Sequence, residues 1–154
     1  LPISIKGKVC RYSDSAFVRL NPVEFTLGAI AKTTGPNNGS LEISGSFNIS
    51  GTGTHTVGTV VNKVGRTSGW SQGAVTRTCV DTGVSGSNIV QLCQSWVSAT
   101  VGSGDSGSPV FSGTGNVALQ GILWGGSADN KTFIFSPIAN ITQNDELGAL
   151  TVVK

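Results

Sequence analysis

The sequence predicts an all-β protein built as an antiparallel β-barrel or sandwich, with a short helix near the C-terminal end. Three observations carry this. Short runs of alternating apolar and polar residues recur at 41–50, 57–64, 74–80, 88–94, 96–101, 108–112, 117–124 and 131–136, each bounded by turn-forming Gly, Ser, Asn or Pro. The composition is rich in Gly, Ser, Thr, Val and Asn and poor in Lys and Glu, as in secreted β-proteins. Helical spacing of apolar residues, by contrast, is confined to Ile138, Ile141 and Leu147, after Ser136-Pro137.

Along the chain, residues 3–11 alternate and read as a strand with a glycine kink. Tyr12 to Leu20 follows, with Ala16, Val18 and Leu20 on one side and Asp14 just ahead of them, where its side chain can face a cleft or simply make a turn. Asn21-Pro22 breaks that run, Val23 to Lys32 supplies another strand, and Thr33 to Ser40 is a loop. Gly51 to Thr54 is a flexible entry to Val57–Val64. Gly65 to Gly73 reads as a tight corner, with Trp70 as a large aromatic plugging a barrel end.

Cys79 and Cys93 flank a segment dense in turn residues, so a hairpin brings them together and a disulfide is expected. Cys10 is left either as a buried thiol or as the partner of a cysteine upstream. Asn48, Asn130 and Asn140 each begin an Asn-x-Ser/Thr site, compatible with surface positions.

At 154 residues the chain is the size of one domain. With 12% charged residues, a net charge of +2 and no basic stripe, a nucleic-acid partner is not expected. No apolar run is long enough for a membrane span, and no cofactor or metal is implied. The chain begins Leu1-Pro2 and has no methionine, so removal of upstream material is expected, by processing, proteolysis or design of the expressed chain.

The chemistry centres on Gly102-Ser103-Gly104-Asp105-Ser106-Gly107-Ser108-Pro109-Val110. A glycine-rich loop can turn successive N–H groups into one concavity, and a serine hydroxyl beside such donors can be acylated once a base takes its proton. Gly104-Asp105-Ser106-Gly107-Ser108-Pro109 resembles the nucleophile loop of the chymotrypsin-like (trypsin-fold) serine proteases, in their bacterial secreted form. The resemblance implies a complete C-terminal barrel over 51–154 and only a remnant of the N-terminal barrel over 1–50. It also implies acylation of Ser106, an oxyanion hole from the N–H groups of Gly104 and Ser106, and a structural role for Asp105. The context of Asp14 is similar to that of the family's orienting aspartate. Gly65-Arg66-Thr67-Ser68-Gly69-Trp70 is similar to the run lying beside the oxyanion loop.

Substrate contacts implied on the same basis are Ser103, Leu123, Trp124 and Gly125, with the base of the specificity pocket near Thr100 and apolar walls from Phe133 and Phe135. With no acid at the pocket base, neutral side chains are expected. Leu123 departs from the family, which has a serine there contacting the aspartate. The catalytic histidine's stretch is also missing. The one histidine, His55, follows Asp14 and reads as a surface or half-buried turn residue away from the cleft. Three readings follow: one chain of a serine protease whose histidine lies in a missing upstream segment, a truncated hydrolase with residual esterase activity, or a silent scaffold or binding module. The expected partners are a peptide or ester substrate, and the missing N-terminal segment or a second copy meeting residues 3–20 along exposed strand edges.

Overall fold

The computed structural model describes residues 6–19, 21, 26–142 and 150–152. Nine strands and one short helix occur among them: β1 (Val9–Arg11), β2 (Ala29–Thr33), β3 (Ile43–Thr52), β4 (Val60–Gly65), β5 (Gly69–Gly83), β6 (Ile89–Ser98), β7 (Pro109–Ser112), β8 (Asn116–Gly126), β9 (Thr132–Pro137) and α1 (Ile138–Thr142). Six of the strands close a ring. β4 pairs with β5, β5 with β6, β6 with β9, β9 with β8, β8 with β7 and β7 with β4, every pair antiparallel.

The ring encloses Val61, Val75, Val97, Ala99, Val101, Val110, Leu123, Phe133 and Phe135. Period-2 alternation decides which residues enter. On β7, Val110 enters the ring while Phe111 points outward into a second core formed by Ile30, Phe47, Trp70 and Val117. Trp70 therefore does not plug a barrel end. It packs edge-on against Phe47 with centroids 5.0 Å apart, between the ring and the β2–β3 hairpin, and its indole N–H donates to Asn62 Oδ1. The hairpin is fastened to the ring by parallel pairing of β3 with β8.

Several expected boundaries shift. The strand expected over 3–11 is a short β1 that pairs parallel with β6. The strand expected over 23–32 is β2, and the runs 88–94 and 96–101 fall largely on one β6 that bulges at Cys93 and ends at Ser98. Residues 3–5, Leu20, 22–25 and the part of the expected helix at 143–147 lie outside the described residues. Asn140 is not a surface position. It is 5% exposed, and its Nδ2 donates to the carbonyls of Tyr12, Leu92 and Cys93.

Cys79 and Cys93 are disulfide-bonded across the β5–β6 hairpin, and Cys10 is a buried free thiol. The bridge closes a loop with a sequence separation of 14. Its reduction is expected to cost about 3 kcal/mol, read as a lower urea midpoint with dithiothreitol than without; equal midpoints would mean that the β5–β6 ladder holds the hairpin unaided.

Candidate active site

The loop between β6 and β7 is held from below by one buried carboxylate. Asp105 accepts hydrogen bonds from the N–H groups of Thr67 (2.8 Å), Ser68 (3.1 Å) and Gly102 (2.8 Å), from the Ser68 hydroxyl, and from Lys63 Nζ (2.9 Å). Lys63 shares the inward face of β4 with Val61, two residues before it, and pairs with Asp105 where both side chains are fully buried. The donor set outweighs the cost of burial and holds the Asp105 carboxyl far below the usual carboxylate range.

Glycines make the arrangement possible. A Cβ on Gly65 would run into the Asp105 carboxylate, and one on Gly102 would meet Thr67 at 2.7 Å. Gly104 and Gly107 have φ of +100° and +87°, values that side-chain-bearing residues seldom adopt. The Gly65–Trp70 run thus lies against the serine loop.

With the loop so braced, most of its amides are used. Asp105 N–H donates to Gly102 O, Gly107 N–H to Leu123 O, and Ser108 N–H to Asp105 O. Among the described residues, the N–H groups of Ser103, Gly104 and Ser106 have no acceptor. Ser106 is exposed, its hydroxyl donating to Trp124 O at 3.3 Å. A cavity of about 250 Å³ opens beside it, lined by Val101, Ser103, Leu123, Ser127 and Asn130 together with Gly102, Gly104, Gly125 and Gly126.

The expected substrate contacts divide. Ser103, Leu123 and Gly125 line this cavity and Trp124 does not, although its carbonyl meets Ser106. Thr100 is exposed and outside it, because the β6 ladder turns after Ser98 and brings Val101 to the wall instead. Phe133 and Phe135 are fully buried in the ring core and form no wall, since β9 directs both inward.

Asp14 is exposed, and its backbone N–H donates to Ser136 Oγ at 3.3 Å. That hydroxyl donates to Gln94 Oε1, which also accepts from the Trp124 indole N–H, both at 2.8 Å. The Asp14 segment is therefore joined through Gln94 to the residue whose carbonyl holds Ser106, while Leu123 offers it no hydroxyl. Gln94 was not legible as a site residue. A glutamine in an alternating strand carries no signal of a fully buried hub.

His55 lies elsewhere. Its ring is half-buried against Phe135 and lines a different cavity from Ser106. Among the described residues no cluster of His, Cys, Asp and Glu fits a metal ion, and no helix is long and apolar enough to cross a membrane.

A closed ring of antiparallel strands with a glycine-braced serine loop at one end is the fold of the chymotrypsin-like bacterial serine proteases. Solved structures similar to this chain include Thermobifida fusca protease A (TM-score 0.58, 21% identity, 72% of this chain and 54% of that one). Cellulomonas bogoriensis chymotrypsin is similar at TM-score 0.59 and 26% identity, over 76% of this chain and 58% of that one. A glutamic acid-specific serine protease gives 0.61 and 23%, over 80% and 60%. The chain thus spans somewhat more than half the length of these neighbours. No protein-family model matches the sequence, and no curated protein matches it.

Proposed function

We propose that this chain is part of a serine hydrolase of the endopeptidase type, in which Ser106 forms an acyl-enzyme with a peptide or ester substrate. The observation that carries the reading is the pair of unengaged amides, Gly104 and Ser106, beside an exposed hydroxyl at the mouth of a cavity. Two N–H donors fixed in place before reaction are what a developing oxyanion needs, because they stabilise charge without reorganising. In this reading Ser106 Oγ attacks the carbonyl and its proton passes to a histidine supplied from outside residues 1–154. Asp14 orients that imidazole, and the leaving group departs with the proton. The partial coverage of the neighbours and the exposure of Phe17 (71%) and Val18 (70%) beside Asp14 support a further segment packing there. Among the described residues no charged group lines the cavity, which supports a neutral side chain at the scissile residue. A secreted location belongs to the same reading, supported by the disulfide.

A second reading, residual ester hydrolysis by the present chain alone, is favoured by one observation: the serine loop is fully braced although the single histidine lines another cavity. Diisopropyl fluorophosphate followed by peptide mass mapping tests both. Phosphorylation of Ser106, lost in Ser106→Ala, is expected with the complete natural protein. An unlabelled Ser106 there would leave only the scaffold reading. Labelling by residues 1–154 alone would favour the second.

A further inference from the structure

The histidine that the Ser106 site does not use sits in a second constellation at a separate cavity. His55 Nε2 lies 2.7 Å from Ser95 Oγ, and His55 Nδ1 lies 3.1 Å from Gln120 Oε1. The Gln120 carboxamide is itself fixed, its Nε2 donating to Ser112 Oγ at 2.9 Å. Gly53 leaves room for it, since a Cβ there would run into Gln120 Nε2. With Oε1 facing the ring, Nδ1 must carry the proton, and Nε2 is left as the acceptor of the Ser95 hydroxyl. Hydroxyl, imidazole and orienting acceptor thus stand in the order that activates a serine.

Beside them is a cavity of about 600 Å³, large enough for a small organic molecule. Ser95, His55 and Gln120 are among its lining residues, together with Thr54, the Cys79–Cys93 bridge and Pro137 to Asn140. Among the described residues no charged side chain lines it, and the backbone N–H groups of Thr54 and His55 have no acceptor.

We infer that Ser95, His55 and Gln120 form a second hydrolytic centre, independent of Ser106, that takes small uncharged esters. Ser95 Oγ bonds to the ester carbonyl carbon as its proton passes to His55 Nε2. The carbon–alkoxy bond then breaks, and the alcohol leaves with that proton. Water, giving a proton to His55, attacks the acyl carbon, and the carboxylic acid is released with Ser95 restored to its hydroxyl form. Gln120 is a positioning residue, holding the tautomer through Nδ1. Burial lowers the His55 pKa, which favours the neutral imidazole, the form able to accept the Ser95 proton.

The experiment is hydrolysis of p-nitrophenyl acetate by residues 1–154 carrying Ser106→Ala, so that the first site contributes nothing. The expected result is turnover that falls by about 10² or more on adding His55→Gln, with Ser95→Ala doing the same. Diisopropyl fluorophosphate is expected to mark Ser95 in the Ser106→Ala protein, a measurement that does not depend on how the added variants fold. Turnover indifferent to His55→Gln, absence of turnover above buffer, or no adduct on Ser95 would each overturn the inference. None of these outcomes bears on Ser106, whose own labelling is scored separately in the unmodified sequence.

Discussion

Asp105→Ala is expected to lower stability by about 3–5 kcal/mol, because it leaves the Lys63 ammonium buried without its counter-charge. The same change removes the acceptor of three backbone N–H groups, from Thr67, Ser68 and Gly102. The serine loop and the Gly65–Trp70 run should therefore loosen together. Equilibrium urea unfolding checks the first effect, and amide exchange at Gly104 and Ser106 checks the second. Lys63→Met should be comparably harmful, whereas combining it with Asp105→Leu should recover part of the loss, since a well-packed apolar pair has no desolvation cost. The pH dependence has a fixed sign. Asp105 titrates far lower when folded than its ordinary value of 3.8, so its contribution is complete above that value and is lost as the pH falls below it toward the folded pKa. The Asp105→Ala protein should lack that part of the acid sensitivity. Stability that falls with acid equally in both proteins would assign the sensitivity elsewhere.

Phe47→Ala is expected to cost a similar amount, about 3–5 kcal/mol, by opening a hole in the second core. Phe47 is fully buried and touches both Trp70 and Phe111, with ring centroids 5.0 and 4.8 Å away. Its loss should undock the β2–β3 hairpin before the ring opens, so Trp70 fluorescence should change at lower urea than the far-ultraviolet signal. That separation also tests a division of the chain near residue 50. Coincident transitions in the variant would mean that hairpin and ring unfold as one unit.

Much of the ring was legible because its strands alternate cleanly and are bounded by turn residues, as in 108–112 and 117–124. The serine loop was legible because six specified positions stand in a row. What the sequence hid were contacts between residues far apart in it. Lys63 sits among valines with nothing to announce Asp105 as its partner 42 residues later. Nothing around Gln94 marks it as the link between Ser136 and Trp124. Strand alternation says which residues leave the solvent but not which core they enter, so it does not show that Trp70 belongs beside Phe47 and not at a barrel end. The pocket wall fell on Val101 and not Thr100 for a related reason. Counting back from Ser106 does not say where β6 ends, and the end of that ladder sets which side chain faces inward.

The closed ring has a consequence for how motion is distributed through the molecule. No strand within it can peel away without breaking ladders on both its sides, so its slowest amides should exchange with deuterium only when the whole protein opens. β1 and β2 stand at the two ends of the strand path, each with one neighbour among the described residues. Their outer amides should exchange by local fraying, far sooner than those of β4 or β8.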